Sequence, residues 1–319
     1  MKTNISLILI LCLLLGACKN GNASSQSKSE TPQDTIKAIK MPAIPQMMTA
    51  PEQRADFLAK HYWDNVNFAD TNYIHHPEVT EQAWADYCDL LNHVPLETAQ
   101  QAMRNVIDRT NVDKKVFTYI TDLADKYLYD PNSPMRNEEF YIPVLEAMIA
   151  SPVLNETEKI RPQARLKLAQ KNRIGTKALN FTYTLASGAQ GSLYQLKAEY
   201  LLLFINNPGC QACTETIEGL KNAPIINQLL QEKKLVLLSI YPDEELDEWK
   251  KHLSEFPNEW INGYDKKFTI KEEQVYDLKA IPTLYLLDKD KTVLLKDATA
   301  PAIEAYVLPW IWLTTISIN

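Results

Sequence analysis

The stretch YLLLFINNPGCQAC, residues 200–213, runs from a continuous apolar segment into two cysteines separated by two residues. Residues 200–205 show no polar alternation, which is the pattern of a strand buried on both faces, as in a parallel sheet. Asn206, Asn207, Pro208 and Gly209 then break the run with turn-forming residues. From Cys210 the pattern becomes helical to about Leu230, with a bend expected at Pro224. A bare Cys-x-x-Cys is a weak signal, but one that opens a helix after a buried strand and a short loop is far more specific.

Downstream, residues 235–241 read as a second buried strand, and residues 244–255 as an amphipathic helix with Leu246, Trp249 and Leu253 on one side. A short helix is expected over 269–278, two strands over 283–287 and 292–295 around an Asp-Lys-Asp-Lys turn, and a last helix from about Ala300. Upstream, residues 181–185 alternate like a strand and residues 187–191 read as a turn. Strands interleaved with helices indicate an α/β domain, a central mixed sheet flanked by helices, over residues 173–312.

Residues 51–172 differ in kind. Apolar positions recur at helical spacing in 52–66, 80–92, 97–108, 113–128, 137–150 and 156–171, with prolines at 77, 95, 131, 134 and 152 punctuating them. A mostly α-helical domain is expected there. The chain begins with Lys2 and an apolar run over 5–15, too short for a permanent span, which needs about 20 apolar residues. Residues 1–17 therefore read as a signal peptide. Leu15-Gly16-Ala17-Cys18 resembles the bacterial lipobox, which implies a lipid on Cys18 and a protein anchored in the cell envelope, facing the periplasm. Residues 18–50, rich in Asn, Ser, Gln, Lys and Pro, read as a flexible tether.

The formal charge of −7 and the lack of any Lys/Arg-rich block argue against a nucleic-acid partner. Of five cysteines, Cys12 leaves with the signal peptide and Cys18 takes the lipid, so Cys88, Cys210 and Cys213 remain, too few for a disulfide framework.

Residues 175–181, the strand at 200–205, the Cys210/Cys213 pair and Ala280-Ile281-Pro282-Thr283 before a further strand together resemble a thioredoxin-fold domain of the TlpA/ResA-like, thiol-specific-antioxidant-related group. The resemblance covers about residues 175–308. It implies a thiol–disulfide oxidoreductase with a redox-active centre at Cys210 and Cys213. It also implies a cis peptide at Pro282, opposite the pair, and a substrate groove shaped by Ile281, Pro282 and Thr283. The helical half resembles the uncharacterised helical domains that precede thioredoxin-like domains in lipoproteins of anaerobic Gram-negative bacteria, which implies no activity.

Physical chemistry assigns the roles. A cysteine at a helix N-terminus meets unpaired N–H groups and the positive end of the macrodipole, which favours the thiolate. Cys210 is therefore the expected nucleophile, and Cys213, one turn on, the thiol that resolves the mixed disulfide. No metal and no organic cofactor is called for, because electrons arrive and leave by thiol exchange with protein thiols or disulfides and a membrane thiol reductant. The sequence departs from thioredoxin itself: Gly209 stands where thioredoxin has Trp, Gln211-Ala212 replaces Gly-Pro, and Phe204 takes the place of the buried acid. Glu215 is a substitute proton acceptor or an exposed helix-face carboxylate.

Other readings stay open at this level. The pair is half of a zinc site if Cys88 or His252 joins it. It is an inert disulfide if the fold serves only as a binding or scaffolding module in an envelope assembly. A peroxidase would want an Arg near the first Cys, and residues 206–209 supply none. Cys88, beside Trp84 and Leu91 at helical spacing, reads as a buried free thiol. His75 and His76 lack the carboxylate spacing of a metal pair, and the aromatic-rich stretch 61–73 reads as core packing.

Overall fold

The computed structural model describes residues 38–316, with side chains as far as Leu308. The signal-peptide and Cys18 expectations lie outside the described residues. Six helices come first: α1 (Pro51–His61), α2 (Pro77–Leu91), α3 (Leu96–Arg109), α4 (Lys114–Ala124), α5 (Glu138–Ala150) and α6 (Glu156–Ala169). Their starts are written in the sequence. Pro77 occupies the first turn of α2, Asp113 accepts from the amides of Lys115 and Val116, and Asn155 with Glu158 forms a capping box. Pro143 sits inside α5 and leaves the Glu139 carbonyl without its helical donor. The Gln100 side chain, on α3, supplies one at 3.1 Å.

The apolar stripes of these helices meet in one core, in which Trp84, Tyr87, Met103, Ile107, Phe117 and Leu145 are fully buried. The aromatic stretch 61–73 feeds that core through Tyr62, Trp63 and Phe68, with Trp63 edge-on to Tyr87. The helix expected over 52–66 ends at His61, and that over 113–128 gives way to a single π turn at Asp125–Tyr129. The tether expectation reaches residue 50, yet Ile39 packs on the helical core and Asn65 donates to the Lys40 carbonyl, so residues 38–50 lie along the domain.

A seven-stranded sheet follows: β1 (Thr182–Leu185), β2 (Gln190–Ser192), β3 (Tyr200–Ile205), β4 (Leu235–Tyr241), β5 (Ile261–Tyr264), β6 (Thr283–Asp288) and β7 (Val293–Lys296), in the order β2-β1-β5-β4-β3-β6-β7. β3, β4 and β5 are parallel neighbours, and β6 runs antiparallel to β3. The period of two along β3 sorts its side chains between two cores. Leu202 and Phe204 face one side with Ile217, Leu220, Ile226, Leu229, Ile303 and Val307. These come from α7 (Gln211–Lys221), α8 (Pro224–Gln231) and α11 (Ala300–Ile316). Leu201, Leu203 and Ile205 face the other with Phe181, Tyr183 and Tyr276.

Three local expectations change. Residues 210–230 are two helices rather than one bent one, because Pro224 starts α8 in its first turn. Beyond α9 (Leu246–His252), the helix expected over 269–278 is a single turn, α10 (Thr269–Glu272). Gln190–Ser192, read as part of a turn, pairs with β1 as a short edge strand.

Charged side chains fasten the helical domain to the α/β domain. Glu138, in the first turn of α5, bonds Lys279 at 3.0 Å and also pairs with Lys296 of β7. Lys279 lies 3.1 Å from Asp277 and 3.4 Å from Asp297. The Arg136 guanidinium donates to the Asp297 carbonyl at 3.1 Å, and Asn172 donates to the Val275 carbonyl at 2.8 Å. Burial alone would lower the Lys279 pKa, but Asp297, Glu138 and Asp277 together hold it above the ordinary lysine range. For Asp297, burial works upward, and Lys279, Arg136 and the Thr283 hydroxyl outweigh it.

Candidate active site

Cys210 is the N-cap of α7, with extended backbone (φ −79°, ψ 122°) and its carbonyl accepting from the Thr214 amide at 3.0 Å. The chain enters through Gly209 at φ +69°, a left-handed conformation that a β-carbon disfavours although no atom stands within 4 Å of one built there. The side chain that thioredoxin places before its first cysteine is therefore replaced by a backbone feature. Cys210 is half-buried, and its Sγ donates towards the Ile281 carbonyl at 3.8 Å. The Ile281–Pro282 peptide is cis. Thus the first cysteine and the loop before β6 face each other, and both cysteines are in the free thiol form.

Cys213 lies inside. Burial pushes its thiol up to about 12, opposed by the Asn207 N–H that reaches Sγ at 3.5 Å and reinforced by the neighbouring Cys210 sulfur. Phe204, in the place of thioredoxin's buried acid, is fully buried and packs edge-on to Trp260 at 6.4 Å between ring centres. Glu215 does not take over that acid's position. It accepts from Gln211 Nε2 at 2.9 Å on the exposed side of α7, two residues and roughly 200° around the helix from Cys213.

Sequence reasoning read Asn206 and Asn207 only as turn formers. The structure makes them the fasteners of the loop that leads into Cys210. Asn206 Nδ2 donates to Ser239 Oγ at 2.8 Å, and Asn207 Nδ2 donates to Asp243 Oδ2 at 2.9 Å. Asp243 is paired in turn with Lys271 at 2.7 Å. Burial raises the Asp243 pKa, but Lys271 and Asn207 outweigh it and hold the carboxyl below its ordinary value. The available signal was polar side chains placed directly at the end of an all-apolar strand, where each must find a partner.

Beside the cysteines runs a groove of about 610 Å³. It is lined by Ala212, Glu215, Thr216 and Gly219 of α7, by residues 279–284, which include Ile281, Pro282 and Thr283, and by residues 297–301. Pro131, Asn132 and Arg136 of the helical domain complete the wall. Thr283 is itself buried, and its hydroxyl donates to Asp297 Oδ1 at 2.6 Å. Among the described residues no three His, Cys, Asp or Glu side chains gather as metal ligands. Cys88 lies in the helical core, where burial pushes its thiol up, and His252 sits on α9 between Glu248 and Glu255.

A solved thioredoxin-like protein from Bacteroides caccae is 83% identical to this chain, matching 86% of it and 99% of that protein, with a TM-score of 0.84. The chain belongs to the thioredoxin-like proteins. Two family models divide this thioredoxin-like protein: a domain of unknown function (DUF5106) matches residues 17–172, and a thioredoxin-like family matches residues 198–293. The second match spans Cys210, Cys213 and Ile281 to Thr283. The C-terminal domain of an uncharacterized protein from Bacteroides fragilis is 69% identical, matching 43% of this chain and 98% of that one, with a TM-score of 0.43. No curated protein matches the chain.

Proposed function

We propose that this protein is an envelope-anchored thiol–disulfide oxidoreductase that exchanges disulfides with extracytoplasmic proteins through Cys210 and Cys213. One observation carries the reading: a half-exposed thiol at a helix N-terminus, beside an open groove, with a second thiol buried beneath it. The helical domain borders the groove but leaves Gly209, Gln211 and Ala212 exposed around Cys210, which favours turnover over a purely scaffolding role. The lipobox-like residues ending at Cys18 support the anchor.

In the reducing direction, the Cys210 thiolate attacks one sulfur of a substrate disulfide. A Cys210–substrate disulfide forms, and the other substrate sulfur leaves as a thiolate that takes a proton. Cys213, once it has lost its proton, attacks Cys210 Sγ. The Cys210–Cys213 disulfide forms, and the second substrate thiol departs. Two electrons pass from the cysteine pair to the substrate, and a membrane thiol reductant restores the pair by the reverse exchange. Burial favours the protonated Cys213 thiol, so its proton must be removed before it attacks Cys210 Sγ.

The test is capture. Cys213→Ala in whole cells should accumulate mixed disulfides through Cys210, visible as reductant-sensitive adducts, and Cys210→Ser should form none. If no adduct appears and Cys210 alkylates no faster than a free model thiol, the redox reading is wrong. The anchor is checked separately: Cys18→Ala should release the protein from the membrane fraction.

A further inference from the structure

We infer that the helical domain is the specificity element of the active site, and that the substrate it selects is an extended polypeptide segment flanking the reacting cysteine. The inference rests on the oxidoreductase reading above. Its physical basis is the composition of the groove walls. Along α7 the side lining the groove is made of Ala212, Glu215, Thr216 and Gly219. Ala212, Thr216 and Gly219 follow one another about a turn apart, so the helix presents a shallow track beside the thiol, with the Glu215 carboxylate as its one charged group. From residue 212 to residue 219 the track is on the order of 10 Å long at 1.5 Å per residue. An extended chain of about three residues covers that length. Pro131, Asn132 and Arg136, which belong to the other domain, line the same groove.

That wall is fixed. Arg136 is tied to Asp297, and Glu138, two residues on, is tied to Lys279 and Lys296, so the segment carrying Asn132 is held against the loop that carries Pro282. Asn132 is exposed, and its backbone amide donates to the Asp130 carboxylate at 2.8 Å. Ile281 offers its backbone to the same space: its carbonyl meets Cys210, and its amide makes no hydrogen bond among the described residues. A peptide in the groove gains a main-chain partner from Ile281 and side-chain contact from the 131–136 wall. A small disulfide reaches Cys210 without touching that wall.

The experiment compares two disulfides on the full, fully reduced chain by stopped flow: a small aryl disulfide, and peptides bearing that same aryl disulfide on a cysteine with zero to five flanking residues. For the wild type, the peptide-to-small-disulfide rate ratio should climb with length and level off near three flanking residues. Asn132→Trp, which fills the wall side of the groove, should lower the plateau ratio at least tenfold. Gln101→Trp, on an exposed face of α3 away from the groove, should leave it within twofold. Thermal unfolding of each variant reports whether the fold persists. A length-independent ratio, or an Asn132→Trp ratio equal to that of the wild type, overturns the inference while leaving the redox reading intact. Failure of the wild type to react with either disulfide overturns the redox reading itself.

Discussion

Replacing Glu138 by Ala tests the fastening between the two domains. Glu138, Lys279 and Lys296 are nearly buried, with side-chain exposures of 11%, 10% and 7%. Removing one partner of a buried pair costs about 3–5 kcal/mol, because the charge left behind keeps its desolvation penalty. Lys279 retains Asp277 and Asp297, so the loss falls on Lys296, whose other partner is the Lys171 carbonyl at 3.0 Å. The cost should therefore sit near the lower end, about 3 kcal/mol. For a protein of this size, the unfolding midpoint should drop by roughly 6–12 °C. Glu138→Gln, which keeps a hydrogen-bond acceptor, should lose less. Adding Lys296→Met to Glu138→Ala should recover part of the loss, since the uncompensated charge is gone. Calorimetry on the single and double variants gives the cycle directly. A drop of less than about 2 °C for Glu138→Ala, or no coupling with Lys296, would refute the assignment of this junction to buried charge.

Three further outcomes follow from the reactive loop. The Cys213 thiol is raised by burial, so in the reduced protein it contributes stability that is complete below its ordinary value of 9.0 and lost as pH rises towards about 12. Reduced wild type should therefore lose stability relative to Cys213→Ala across that window, measured by denaturant titration at stepped pH, and parallel curves would contradict it. Asp243→Ala should free the Asn207 side chain and weaken the N–H bond to Cys213, slowing release of the mixed disulfide by about 3–10-fold, the worth of one hydrogen bond. The initial attack by Cys210 should slow less, and equal slowing of both steps would contradict the assigned role. Gly209→Ala meets no steric obstacle but holds a left-handed backbone, so it should destabilise by about 1–2 kcal/mol in urea unfolding. A neutral result would mean that the loop accommodates another path.

Much of this architecture is legible in the chain because its signals are local. Residues 200–205 read as a buried strand because both faces of β3 are covered, and the helices of the first domain carry their stripes and caps in plain view. The extent of the helix after Cys213 was less legible: a proline reads equally as a bend within a helix or as the first turn of a new one, and packing beneath α8 chose the second. β5 carries Asn262 and Gly263 and has no apolar periodicity, so only its pairing with β4 and β1 makes it a strand. At the site, Cys210, Cys213 and the Ile281 to Thr283 segment were visible as motifs. The roles of Asn207 and Asp243 were not, because each depends on a partner from a distant part of the chain and no spacing rule connects them.

The two reactive loops hang from adjacent strands whose register pairs Ile205 with Thr283. The sheet therefore acts as a ruler: the gap between the first cysteine and the loop opposite is set by ladder geometry, independent of how long the intervening helices are. Changes in the length of the connections between residues 214 and 280 leave that gap in place, so long as the β3–β6 ladder and the contacts of Ser239 and Asp243 to the loop before Cys210 are kept. A one-residue slip of β3 would do the opposite. It would exchange the faces of Phe204 and Ile205 between the two cores and carry the thiol out of line with its groove.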